Sequence, residues 1–299
     1  MSDQNEPRRR RDLKLDEVPE DKAPADVAEI YEDVKNTLRV NIVNLVWRVF
    51  ATKPKFLEAL WGELKPAGDA GFMEAAEGIR AAAIERVQAA TTVEDHRPAL
   101  GGDLHEAVQE LRVFLEVNPR LLILLCALKR SWEHGEVGGR REAVPGERGV
   151  PNWHPEITVG SPSGSGTTEA MKELVDVLDL PAPNTDYLVL AKWPDYFAQA
   201  WSGLRSFVGT AAWRDTCETV DWMAEQAAVA LPAKIRVAPQ RASEFGLTDE
   251  ETGEVATWIE AFHGILPGLI VNTSYFWVGL QGGVERDPSG FFEDSESER

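Results

Sequence analysis

The residues best suited to chemistry lie in Pro181-Ala182-Pro183-Asn184-Thr185-Asp186-Tyr187-Leu188-Val189-Leu190. Two prolines end one element, three short polar residues follow, and an apolar segment begins. One reading is structural. Asn184 or Thr185 caps a helix, and Asp186 in its first turn is favoured by the helix dipole. The other reading is chemical. A lone carboxylate beside an apolar wall is a general base, because desolvation raises its pKa and strengthens it while it stays ionised. Free N–H groups at a helix start suit a small carboxylate, and an apolar wall suits a weakly hydrated group such as halide.

Other chemistries lack their residues. No glycine-rich phosphate loop precedes a helix, and there is no His-x-x-x-His or Cys-x-x-Cys. Cys126 and Cys217 are far apart and read as two buried free thiols in a reducing compartment. Of His96, His105, His134, His154 and His263, most stand in polar, surface-like contexts, whereas His263 sits in an apolar helix. The formal charge of −19 repels phosphate backbones and argues against nucleic acid. With 21 Arg against 10 Lys, the acid surplus suggests adaptation to high salt. The longest apolar run, Leu121–Leu128, is short of a membrane span. Arg8–Arg11 is followed by Asp12, Lys14, Asp16 and Glu17 rather than an apolar stretch. A secretion signal is therefore not expected, and the cytoplasm is.

The elements that must position Asp186 are helical. Phe56, Leu57, Leu60, Trp61 and Leu64 fall at helix spacing, as do Phe197, Ala200, Trp201 and Leu204. Pro54 and Pro194 stand where a helix would start, and strand signals are nearly absent. The fold class is all-α. Residues 1–26 and 285–299 are polar and charged and are expected to be loose. Residues 135–168 hold eight Gly and four Pro without an apolar period and read as a linker or surface loop. They divide the folded part into 27–134 and 169–284.

These two parts resemble each other. A shift of 140 places Asn44 over Asn184, Val49 over Val189, Pro54 over Pro194, Trp61 over Trp201 and Leu64 over Leu204 without a gap. A slightly larger shift brings Pro119 onto Pro267. Shared Pro, Trp and Asn positions favour a duplicated unit, a pseudo-dimer in one chain, over chance. Thr185 and Asp186 then correspond to Leu45 and Val46: one copy supplies a carboxylate, the other apolar surface.

Four stretches carry a family resemblance: Tyr31 to Val40, Arg48 to Pro54, Asn118-Pro119-Arg120-Leu121-Leu122, and Thr185-Asp186-Tyr187 with Ala191-Lys192-Trp193-Pro194. They resemble the group I (D- and L-acting) 2-haloacid dehalogenases over about 27–284. The resemblance implies an all-helical pseudo-dimer with its site between the repeats, and hydrolysis of small 2-halocarboxylic acids without cofactor or metal. It implies an Asp-activated water that attacks C2 with inversion and forms no ester. It assigns Asp186 as base, Thr185 as its polar neighbour, Asn118 as a positioning residue and Glu74 as a further acid. Its substrate pocket maps to Ile42, Leu45, Tyr187, Ile259, His263 and Leu266, and a homodimer is a possible assembly.

The chain departs from that family at Val40-Asn41-Ile42-Val43-Asn44-Leu45, where the family has Val-Pro-Trp-Val-Ala-Phe. Two flat aromatic walls become Ile42 and Leu45, which enlarges an apolar pocket. A family Thr is Ala70 here, and His263 replaces an apolar residue. The alternative function is a non-catalytic helical pseudo-dimer that binds a small organic acid or a protein. A third, suggested by similarity to alkylhydroperoxidase-like and carboxymuconolactone-decarboxylase-like folds, lacks the Cys-x-x-Cys of its redox branch.

Overall fold

The computed structural model describes residues 10–159 and 165–283. Among the described residues ten α-helices follow one another: α1 (Ala25–Leu38), α2 (Leu45–Phe50), α3 (Pro54–Leu64), α4 (Ala70–Ala90), α5 (Leu104–His134), α6 (Ser165–Val177), α7 (Thr185–Leu190), α8 (Pro194–Phe207), α9 (Ala211–Val229) and α10 (Asp249–Leu280). Among the described residues the strands are β1 (Val137–Gly138) and β2 (Lys234–Ile235), an antiparallel pair with Val137 opposite Ile235. The all-α class holds.

The helices form two series with the same order: medium, one-turn, medium, long, longest. Local details recur at the same spacing. Trp61 Nε1 donates to Asp33 at 2.8 Å, and Trp201 Nε1 donates to Glu173 at 3.0 Å. Lys65 pairs with Asp33 at 2.7 Å as Arg205 pairs with Glu173 at 3.0 Å. After α1 and just past α6, Arg39 and Asp179 adopt left-handed backbone at φ 55° and 50°. α3 and α8 begin at Pro54 and Pro194, whose missing N–H has no partner to lose there.

The longest helices, α5 and α10, pack along each other, and α4 and α9 flank them. Each carries an internal proline, Pro119 or Pro267, which removes one ladder hydrogen bond. Both are largely buried, which explains their runs of apolar residues. α10 is long and apolar enough to cross a membrane by length and composition, contrary to the sequence expectation that no run reaches that length. Its most apolar window is 67% buried inside the protein, so its apolar faces are spent on the core.

Two segment expectations change. Residues 10–24 are anchored rather than loose: Tyr31 donates to the Val18 carbonyl at 2.8 Å, Arg48 Nε lies 2.7 Å from Glu17, and Glu20 accepts from the Val43 N–H at 2.9 Å. Charges that look solvated in sequence find partners on α1 and α2. The expectations for residues 1–9 and for the acidic tail from 285 fall outside the described residues. Ser165–Thr168 belongs to α6 rather than to the linker. The rest of the described linker is a fastened surface loop. Arg141 holds Asp69, the Gly149 N–H donates to the Asn36 carbonyl at 2.8 Å, and the Arg112 guanidinium lies over Trp153 at 3.9 Å.

His96 departs from the surface position expected of it. It is fully buried, and its backbone N–H donates to the Gly279 carbonyl at 3.1 Å. A Cβ on Gly279 would collide with the imidazole, so this glycine is what lets the loop before α5 close onto α10. Burial holds the His96 pKa below its ordinary value.

Candidate active site

α2 and α7 are six-residue helices that bring their first turns toward one another. Asn44 and Asn184 stand at their N-caps, and neither makes a side-chain cap hydrogen bond. Asn184 thus holds the expected N-cap position, with Asp186 in the first turn, but caps through no side-chain hydrogen bond. The side chains of Asn44 and Asn184 line a common cavity instead.

Asp186, the second residue of α7, is 2% exposed. Its Oδ1 accepts a 2.7 Å hydrogen bond from Asn118 Nδ2, which projects from the middle of α5 next to Pro119. Burial pushes the Asp186 pKa up to about 6, opposed by the Asn118 amide and by its own backbone N–H. The carboxylate is thus ionised at neutral pH yet more basic than an exposed aspartate. The space beside it admits a water-sized sphere over about 20 Å³, room for about one or two waters.

The walls are mixed in origin. The first series contributes Asn44, Leu45, Val46, Asn118 and Leu121. The second contributes the N-cap Asn184, Thr185 and Asp186 from α7, and Phe262, Ile265, Leu266 and Leu269 from α10. Two buried amide oxygens on this wall, Asn118 Oδ1 and Asn44 Oδ1, have no hydrogen-bond partner among the described residues. Buried acceptors left unpaired cost free energy, so this wall is built to receive a donor. A larger cleft of about 440 Å³ lies on the outer side of Leu45 and Thr185, with Leu15, Glu17, Pro19, Arg48 and Leu188 on its walls. Leu45 and Thr185 border both spaces and form the partition between them.

Asp186, Asn118, Thr185, Leu45 and Leu266 therefore come together. Five other positions do not. Glu74 is exposed on the outer side of α4. Ile42 is buried ahead of α2 but lines no part of this cavity. Tyr187 points the other way: its hydroxyl accepts from Asn272 Nδ2 at 2.9 Å, and Asn272 Oδ1 accepts from Trp213 Nε1 at 3.0 Å, which ties α7 to α9 and α10. Ile259 lies one turn too early on α10 and packs in the core. His263 is rotated about 100° from Phe262 on the helix, and its ring meets Asp221 instead. The α10 residues that face the cavity follow the i, i+3, i+4, i+7 rule from Phe262. That stripe was the available signal for Phe262, Ile265 and Leu269. The signal for Asn44 was its place opposite Asn184 under the 140-residue shift.

The chain is similar in sequence and fold to known proteins. Residues 41–176 match the DehI family model, described as halocarboxylic acid dehydrogenase DehI. The chain is 27% identical over 279 residues to an (R)-2-haloacid dehalogenase of Pseudomonas putida, covering 87% of this chain and 90% of that protein. It is 29% identical over 201 residues to a configuration-inverting 2-haloacid dehalogenase of Pseudomonas sp. (strain 113), covering 62% and 64%. Among solved structures, a D-2-haloacid dehalogenase in complex with L-LA superposes with a TM-score of 0.84 at 26% identity, over 90% of this chain and 97% of that one. The DehI match covers α2 and Asn118. Asp186 lies beyond it, within the span of the P. putida similarity.

Proposed function

We propose that this protein is a configuration-inverting 2-haloacid dehalogenase in which Asp186 is the general base. The enzyme hydrolyses the carbon–halogen bond of a small 2-halocarboxylic acid. Asp186 accepts a proton from water, the water oxygen attacks C2, and halide leaves from the opposite side. The products are the 2-hydroxy acid of inverted configuration, halide, and the proton that passes from Asp186 to solvent. No ester forms. Asn118 fixes the carboxylate and offers its free Oδ1 to the second water hydrogen. The apolar side chains of Leu45, Val46, Leu121, Phe262, Ile265 and Leu266 keep competing water away from C2 and suit a weakly hydrated leaving group. Thr185 and the amide of Asn184, at the edge of the cavity, are the donors available to the substrate carboxylate. Substrate enters from the outer cleft between Leu45 and Thr185.

The observation that carries this reading is the buried Asp186 carboxylate, held by Asn118 beside a water-sized space walled with hydrocarbon. Similarity to (R)-acting relatives makes (R)-2-chloropropionate the enantiomer expected to react, giving (S)-lactate. Turnover of both enantiomers would instead fit the D- and L-acting group. Cytoplasmic residence and a homodimer belong to the same proposal.

Halide release from each enantiomer tests it. Wild type is expected to release chloride from at least one. Asp186→Asn is expected to lose about 10²–10⁴-fold in rate with an unchanged circular dichroism spectrum. A folded wild type that releases no halide from any small 2-haloacid would favour the non-catalytic alternative.

A further inference from the structure

Off the cavity-facing stripe of α10, three chemically different side chains converge from three helices. Cys126 comes from α5, Asp221 from α9 and His263 from α10. Their donor atoms all lie within 4.8 Å of one another. Cys126 Sγ is 3.9 Å from Asp221 Oδ1, and His263 Nε2 is 3.0 Å from the same oxygen. Cys126 is buried, the His263 side chain is 11% exposed, and Asp221 at 31% opens one side to solvent.

We propose that Cys126, Asp221 and His263 bind a single divalent cation of intermediate softness, with Zn²⁺ the best fit, at the crossing of α5, α9 and α10. The donor set is one sulfur, one imidazole nitrogen and one carboxylate oxygen, each a normal Zn²⁺ ligand. Tetrahedral Zn²⁺ with bonds of about 2.0–2.3 Å places its ligands roughly 3.3–3.5 Å apart, so the observed separations close with small side-chain rotations. The His263 Nε2 supplies the second observation. It is buried and lacks a hydrogen-bond partner, although a carboxylate oxygen stands 3.0 Å away. A cation coordinated by both atoms would give Nε2 the partner it lacks. Sulfur and nitrogen donors disfavour Mg²⁺ and Ca²⁺, which take oxygen.

The surroundings are compatible with added positive charge. Lys129 is paired with Glu260 at 2.9 Å, and Arg130 lies 3.7 Å from Glu225. Burial and the Asp221 charge push the Cys126 thiol above its ordinary pKa. It is a thiol in the free protein, and metal binding releases its proton to solvent, one per ion, as the S–H bond gives way to S–Zn. Three protein ligands leave a fourth position for water on the Asp221 side. The site shares no residue with the catalytic cavity. It joins the helices that carry Asn118 and Phe262, so an ion here would clamp the cavity's two longest walls.

The full-length protein, first treated with a chelator, should bind one Co²⁺ per chain and show a thiolate-to-cobalt charge-transfer band. Zn²⁺ should abolish that band by competition. Cys126→Ser should lose the band, and His263→Gln should weaken Zn²⁺ binding by at least about tenfold. Cys217→Ser, one turn from Asp221 on α9, should keep both. Zn²⁺ should raise the melting temperature of wild type but not of Cys126→Ser. The proposal is overturned if wild type shows no saturable Co²⁺ or Zn²⁺ binding, or if Cys126→Ser binds as well as wild type. It is equally overturned if the band disappears in Cys217→Ser and persists in Cys126→Ser.

Discussion

Asn118 Nδ2 lies 2.7 Å from Asp186 Oδ1 and joins α5 of the first helical series to α7 of the second. The bond aims the carboxylate, and it partly offsets the desolvation that makes Asp186 basic. Fold and chemistry meet in this pair: neither half of the chain holds both partners.

The pH dependence follows from the Asp186 pKa of about 6. Only the ionised form accepts a proton from water. The kcat/KM for a 2-haloacid should therefore rise through about pH 6 and level off above it, with activity lost on the acid side. A pH–rate profile of halide release measures this directly.

Stability should move in the opposite direction. The folded pKa lies above the ordinary aspartate value of 3.8, so between about pH 4 and 6 the folded protein holds a proton that the unfolded chain has released. Stability falls with rising pH across that window. The full cost, on the order of 3 kcal/mol, is present above it. Asp186→Asn removes this cost. Urea unfolding at pH 8 should show the variant more stable than wild type, with the gap shrinking toward pH 4.

Removing the amide partner should change the base as well as the rate. A hydrogen bond to a charged group contributes about 1.5–3 kcal/mol, and here it favours the carboxylate. Asn118→Ala should shift the acid limb of the pH–rate profile upward by about one to two pH units and lower the plateau. A purely structural role for Asn118 would lower the rate without moving the limb.

Leu45 separates the outer cleft from the water-sized cavity. Leu45→Ala should widen the passage and favour longer substrates. The ratio of kcat/KM for 2-bromobutyrate over 2-bromopropionate should rise by about tenfold, the scale of one methylene in an apolar pocket. Steady-state kinetics on the two acids checks it.

Much of this was legible in the sequence. Helix periodicity and the prolines at 54 and 194 give the helices, and the 140-residue shift anticipates the paired hydrogen bonds of Trp61 and Trp201. Asp186 stood out as a lone acid between a proline-bounded polar turn and an apolar run, and Asn118 through the family resemblance. Two of the failures share a cause: side-chain direction. Tyr187 adjoins Asp186 in sequence but points to the opposite side of a one-turn helix. His263 adjoins Phe262 but is rotated off the cavity stripe. Glu74 was placed by alignment alone, and nothing in the sequence shows that its face of α4 is exposed. The anchoring of residues 10–24 was also hidden, because a polar segment reads the same whether its charges meet water or partners, as Glu17 meets Arg48 and Arg10 meets Asp179.

The central claim is that Asp186 activates water instead of attacking C2 itself. A single-turnover reaction in H₂¹⁸O, with enzyme in excess over 2-chloropropionate, separates the two. Direct attack by water predicts that the 2-hydroxy acid formed in the first turnover carries ¹⁸O and that Asp186 stays unlabelled. A product carrying ¹⁶O, with one ¹⁸O already left in the Asp186 carboxylate by hydrolysis of an ester in that same turnover, would contradict it.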